Sequence, residues 1–312
     1  MLWCMATLDD TVDALAGGQH GMFTTAQARR LGVSGLVLER WVREGLLRHP
    51  CRGLYGVVAQ VDEDEAAWHL HLCAGARLLY SDAVLTGVSA VLAHGLPVWG
   101  ADLARPTVRR PVDRAASVRA FRVRPAPAGE DLPASVTTEW GSADPPAAAV
   151  VQLALDAGMM SGVVSADAAL HRGLATDQDL GDAVERVASW PHSSRAVAML
   201  SHVDARSESV GETRLRVDLN VHGIESLSQV EIHDRFGHLV GRVDLLVGGK
   251  VVVEFDGKVK YADGDPRTLW AEKRREDRLR ELGYTVVRIT WADLETPGRA
   301  VAKVRRALAA AA

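Results

Sequence analysis

The chain has 312 residues, longer than one hydrophobic core usually grows, so two or three packed domains are expected. Its 47% hydrophobic and 24% charged residues exclude a disordered, fibrous or membrane-spanning class, and the most apolar run, Ala147 to Leu155, is broken by Gln152 and stopped by Asp156. The net charge of −4 argues against a nucleic-acid partner as a whole-chain average but conceals local excess. Arg29 to Arg52 holds six basic residues against two acidic ones, and Arg105 to Arg124 holds seven Arg against one Asp.

The opening MLWCMATLDD lacks a basic start and an apolar stretch, which argues against a secretory signal and places the protein in the cytoplasm, with no membrane partner. Three cysteines, Cys4, Cys51 and Cys73, are odd in number and widely spaced, and none stands with a His in zinc-like spacing; this argues against structural zinc and disulfides.

Residues 1–60 read as short helices followed by a strand pair. FTTAQARRLGVS offers Thr24 or Thr25 as N-cap, Ala28 and Leu31 as small or apolar positions and Gly32 as a stop. A second helix opened by Ser34 carries Leu36, Leu38, Trp41 and Leu46, with Arg40 and Arg43 among them. LLRHPCRGLYGVV then reads as a hairpin turning between Pro50 and Gly53. Helix, turn, helix and basic hairpin is the order of a winged helix-turn-helix, with Arg40, Arg43, Arg48 and Arg52 as candidate DNA contacts; a small helical scaffold for a protein partner has the same order.

Residues 61–205 are expected to be mainly helical, a connector or interaction domain with a short Arg-rich strand region. EAAWHLHLCAGARLLY and SDAVLTGVSAVLAHGL read as helices, and helices return at Ala147 to Gly158 and Val163 to Gly173. Between them, the alternation in SVRAFRVRP favours an exposed strand whose Arg119, Arg122 and Arg124 either touch phosphates or, more commonly for such a run, form a solvated edge.

Residues 206–312 change character. A helix from near Ser209 precedes strands around SLSQVEIHD, LVGRVDLLV and KVVVEFDG, then a charged helix from Leu269 to Leu282 closed by Gly283, then the strand YTVVRIT. That order suits an α/β sandwich, so the fold class is α/β and multidomain. In the third strand Glu254 and Asp256 share one face, with Val251, Val253 and Phe255 on the other. Two carboxylates side by side repel unless a cation or a shared proton compensates, and hard oxygen donors suit magnesium or manganese. Asp244 joins them only if the Gly248-Gly249-Lys250 segment forms a three-residue loop or a bulge; a two-residue turn pairs Asp244 with Val253. Lys258 and Lys260 follow directly and either polarise an attacking water or are solvated loop lysines. AEKRREDR offers almost no apolar surface before Leu279 and Leu282, so some of Lys273, Arg274, Arg275 and Asp277 must face the sheet or a polar groove.

Taken together, GETRLR, SQVEIH, RVDLLV, VVVEFDGKVKY and EKRREDRLRELGYTVVRITWADL resemble the very-short-patch-repair-like (Vsr-like) branch of the PD-(D/E)XK nuclease superfamily over about the last third of the chain. The resemblance implies a restriction-endonuclease-like α/β sandwich and a Mg²⁺ or Mn²⁺ site that hydrolyses DNA phosphodiesters. By motif position it assigns Glu212, Asp244, Glu254 and Asp256 to the metal, Gln229 to a recurrent strand glutamine, and Lys273, Arg274 and Asp277 to the polar helix before the last strand. Two positions depart from the pattern. The lysine two residues after the Glu is Asp256 here, and the histidine three residues after the Gly is Lys260, so Lys258, Lys260 or Lys273 is left to supply the missing cation.

FTTAQARRLGVS through RGLYGVV resembles the winged helix of AbiEi-type antitoxins of type IV toxin-antitoxin systems, which implies DNA binding and autoregulation. Two function classes follow: a metal-dependent DNA endonuclease aimed by the winged helix, or a DNA-binding regulator whose nuclease-like domain is catalytically inactive. A homodimer and a cognate toxin or defence partner are open under both.

Overall fold

The computed structural model describes residues 8–112, 114–117, 119–126, 132–257 and 266–311. The architecture is mixed α/β with three sheets. It forms two compact units, 1–162 with 178–196 and 163–177 with 197–312. Among the described residues no helix is long and apolar enough to cross a membrane.

The first unit begins with α1 (Asp10–Gly17), β1 (Met22–Thr24), α2 (Thr25–Arg30), α3 (Gly35–Arg43), β2 (Leu47–Cys51) and β3 (Leu54–Val57). Thr24 is the N-cap of α2: its hydroxyl accepts from Gln27 N while the Gln27 side chain accepts from Thr24 N, so both ends of the cap are satisfied. Ser34 caps α3. The three strands pair in the order β1-β3-β2, and Phe23, Leu38, Trp41 and Tyr55 close the core beneath them. This is a winged-helix-like arrangement. Leu36 does not join that core: it is 78% exposed.

Next come α4 (Glu65–Leu79) and α5 (Val88–Ala93), with a six-stranded mixed sheet where mainly helix is expected from sequence. Its strands are β4 (Val84–Leu85), β5 (Thr107–Arg110), β6 (Ala116–Ser117), β7 (Arg122–Pro125), β8 (Val136–Thr138) and β9 (Gly141–Ala143), in the order β6-β7-β5-β4-β9-β8. Strands of two to four residues complete too few alternations to show a period of two, which is why only the strand in SVRAFRVRP was legible. The helix α6 (Pro146–Ala157) follows, and the chain passes between the two units within α7 (Met159–His171), α8 (Asp177–Arg186) and α9 (Ser193–Leu200).

The second unit is built on α10 (Val210–Val221), β10 (Ser226–His233), β11 (Leu239–Val247), β12 (Val251–Asp256), α11 (Pro266–Glu281), β13 (Thr285–Thr290), α12 (Trp291–Glu295) and α13 (Arg299–Ala311). Its sheet runs β10-β11-β12-β13, antiparallel except for the parallel β12/β13 pair. Leu215 and Leu219 of α10 and Val301 and Val304 of α13 pack with Leu245, Val251 and Val253. Leu279 of α11 packs with Ile232, Val243 and Val252 as a separate cluster. A buried ion pair fastens α7 to α10: Asp167 accepts from Arg216 Nη2 at 2.7 Å, from Thr213 Oγ1 at 2.7 Å and from Asp204 N at 2.8 Å.

Candidate functional site

On α3 the helical period separates a buried face, Leu38 and Trp41, from an outer face bearing Leu36, Arg40 and Arg43. Arg40 is loosely paired with Glu44 at 3.9 Å, and both Arg40 and Arg43 are exposed. Arg52 is exposed at the β2/β3 turn, where Gly53 takes φ +88° and lets the chain reverse. Arg48 is placed differently. Its guanidinium is paired with Glu63 and lies 4.7 Å from the ring centre of Trp68, so it serves internal packing. Two exposed cations outside the chosen set, Arg29 and Arg30, end α2; they belong to the local basic excess in the sequence.

The Arg-rich strands are mostly committed internally. Arg109 pairs with Asp144 at 2.7 Å, Arg110 with Asp82 at 2.7 Å, Arg122 with Asp102, and Arg124 with Asp156 at 2.8 Å. A local charge excess here is answered by carboxylates distant in sequence, which composition alone does not reveal.

In the second unit the Gly248-Gly249-Lys250 segment takes the three-residue form, with φ +56° and +68° at the glycines and Val247 opposite Val251. Leu245 then faces Val253 as the last paired residues of β11 and β12, and Asp244 and Glu254 are the next residues along those two strands. The alternation of β11 slips at Asp244. Val243 packs with Ile232 and Val252, whereas Leu245, two residues on, packs with Val251 and Val253 in the other cluster. On the neighbouring strand Gln229 takes φ +54°, a left-handed conformation uncommon for a side chain of its size. The slip lets Asp244 Oδ2 accept from the Phe255 backbone N at 2.8 Å.

Glu254 is paired with Arg275 of α11, and Arg275 Nη1 also donates to the Arg242 carbonyl at 3.0 Å. Gly241 leaves room for that arm, because a Cβ there would lie 2.9 Å from Arg275 Cδ. Glu212 is 8% exposed and fully engaged. Its carboxylate accepts from Ser209 Oγ at 2.7 Å, Glu208 N at 3.1 Å and Gln229 Nε2 at 2.8 Å, closing the α10 cap and tying that helix to β10. Asp256 ends β12, half-buried, in line with Glu254 by strand alternation.

Lys258 and Lys260 lie outside the described residues. Lys273, Arg274 and Asp277 are exposed on α11, and Arg275 is the cation of that helix that reaches the strand. A signal for Arg275 was present: it precedes Leu279, the buried residue among the described side chains of the helix, by one helical turn. Among the described residues no group of three or more His, Cys, Asp or Glu side chains converges as a metal cluster. Asp244 and Glu254 offer a pair of hard oxygen donors on adjacent strands, which suits a cation that keeps several waters; Glu212 does not suit it, because its oxygens are already occupied.

Residues 10–58 match the family described as "Transcriptional regulator, AbiEi antitoxin". The match covers the three-helix and hairpin segment, and that N-terminal region is AbiEi antitoxin-like. No curated protein matches the chain. Among solved structures, the crystal structure of the RV2827C protein from Mycobacterium tuberculosis aligns at 18% identity over 61% of this chain and 75% of that one, with a TM-score of 0.40.

Proposed function

We propose that the chain is a DNA-directed, metal-dependent endonuclease. The AbiEi antitoxin-like winged helix docks on duplex DNA, and the second unit hydrolyses a phosphodiester at Asp244 and Glu254. The single observation that supports the hydrolytic half is the placement of those two carboxylates on adjacent strands, each directly beyond the last β11/β12 pair, with a slip in strand alternation at Asp244 itself. Irregular strands carry a cost that a purely structural sheet avoids, and they recur next to active sites.

In this reading α3 lies in the major groove, with Arg40 and Arg43 toward the DNA, Arg52 on the flanking backbone at the wing, and Arg29 and Arg30 on phosphates from α2. Asp244 is aimed by the Phe255 amide, and Glu254 is held by Arg275. Asp244 and Glu254 would hold Mg²⁺ or Mn²⁺, which would supply Lewis-acid polarisation of the phosphodiester. Asp256 borders the same face, Glu212 and Gln229 act as a brace that holds α10 against the slipped strand, and Arg274 lies on the exposed side of α11 for the DNA backbone. A lysine, Lys258, Lys260 or Lys273, orients the attacking water. One carboxylate site cuts one strand, so a double-strand break requires a second copy or a second visit.

The Arg275–Glu254 pair also favours a second reading, in which a protein cation has permanently replaced the metal and the chain is a DNA-binding regulator. Supercoiled plasmid incubated with purified protein in Mg²⁺ or Mn²⁺, against EDTA and Glu254→Ala, separates the two. Cation-dependent nicking lost in the variant supports the nuclease; retained DNA binding without nicking under either cation assigns the regulator.

A further inference from the structure

A cleft in the first unit lies between the six-stranded sheet, α6, the end of α8 and the segment 187–192. It has two neighbouring lobes of about 400 and 650 Å³ that share Leu132, Asp144, Gln152 and Trp190 as lining residues. Volumes of this size enclose small organic molecules. The walls of the smaller lobe are mostly apolar, with Leu132, Val151, Ala183 and Val187 beside the Trp190 indole.

Charge selects among possible ligands. Three arginines, Arg109, Arg124 and Arg186, line the cleft with two carboxylates, Asp144 and Asp156. Arg109 neutralises Asp144, and Arg124 neutralises Asp156. Among the described residues that line the cleft, no carboxylate is left to attract a cationic ligand. Arg186 is exposed at the rim of the smaller lobe and has no ion pair among the described residues. The balance among the described lining residues is therefore one positive charge, presented as a planar guanidinium fork that suits a carboxylate. An aromatic ring against the indole and apolar walls completes the complement.

We propose that this cleft binds a small aromatic monoanion, with the ring in the lobe bounded by Val151, Val187 and Trp190 and the carboxylate on Arg186. The proposal is independent of the carboxylate pair in the second unit and of whether the chain cuts DNA.

Isothermal titration calorimetry on the full chain tests it with 1-naphthoate and its uncharged isostere 1-naphthamide. The expected result is one naphthoate bound per chain, with the amide weaker by about tenfold or more, as loss of a charge-assisted contact implies. Arg186→Gln brings naphthoate down to the affinity of the amide, and Ala148→Phe, which fills the lobe, abolishes binding of both; circular dichroism verifies that each variant is folded. The proposal is overturned by an absence of binding at millimolar naphthoate, by equal affinity for acid and amide, or by naphthoate binding that survives both substitutions in folded protein.

Discussion

The Arg275 guanidinium is bonded to the Glu254 carboxylate, so α11, dense in charges of both signs, turns a cation inward onto the strand that carries Glu254 and Asp256. Asp244 and Glu254 follow directly on the last β11/β12 pair, and neighbouring carboxylates repel unless a cation intervenes. Arg275 is that cation in the protein alone. Arg275→Ala therefore leaves the repulsion uncompensated and lowers the melting temperature, by an amount corresponding to about 1 kcal/mol because the pair is partly solvated. Millimolar Mg²⁺ restores much of the loss in the variant and has a smaller effect on the wild type. Thermal unfolding with and without Mg²⁺ measures both; an identical Mg²⁺ response in the two proteins removes the link between Arg275 and the cation.

Gly211 lies where α10 crosses β12, and a Cβ there would sit 2.0 Å from Phe255 Cε1. The Phe255 ring is itself held edge-on against Trp291 at 4.9 Å, so it has little freedom to retreat. Gly211→Ala costs about 1–3 kcal/mol by overpacking, seen as a lower urea midpoint. Because Phe255 N orients Asp244, the same variant weakens any activity that depends on Asp244. An unchanged urea midpoint contradicts this close approach.

Which parts of the molecule were legible in sequence follows from how local their causes are. The Thr24 cap, the α3 arginines and the Gly283 stop depend on residues within a few positions, and each is visible as a short pattern. Asp244 was decidable only as an alternative, because the Gly-Gly-Lys loop permits two registers and the sheet selects one. Arg48 and the β5 and β7 arginines were misleading for a different reason. Their partners, Glu63, Asp144, Asp82, Asp102 and Asp156, lie 15 to 35 residues away, and no composition window pairs them. The six-stranded sheet escaped because its strands are too short to complete the alternations that would announce them.

Two histidines make the first unit sensitive to acid. His71 Nε2 accepts from Asp62 N at 3.0 Å while Nδ1 donates to the His20 carbonyl at 2.8 Å, an arrangement that requires the neutral ring. His69, wholly buried, bonds the Leu103 carbonyl through Nδ1 and Ser89 through Nε2. Burial holds both imidazoles below the ordinary value of 6.5, so the unfolded chain takes up protons first as the pH falls. Stability is thus fully present above about pH 6.5 and declines progressively as the pH falls below it toward the depressed folded values. Urea midpoints at pH 7.5 and 5.5 should differ in the wild type and differ less in a folded His69→Gln, His71→Gln double variant. An equal difference in both would assign the acid sensitivity to other groups.

The winged helix offers a sharper contrast between two arginines that look alike in sequence. Arg43 is exposed on the outer face of α3, whereas Arg48 is paired with Glu63 and stacked on Trp68. A cation that meets a phosphate releases condensed counterions, so its loss weakens binding and flattens the salt dependence; a cation engaged internally does neither. Arg43→Ala should lower DNA affinity and reduce the slope of log K against log salt by about 1. Arg48→Ala should leave that slope unchanged and instead lower stability, since it removes both the ion pair and the cover over Trp68. Fluorescence anisotropy with labelled duplex at several salt concentrations reads the slopes, and a flatter slope in Arg48→Ala would move the DNA contact from the α3 face to the wing.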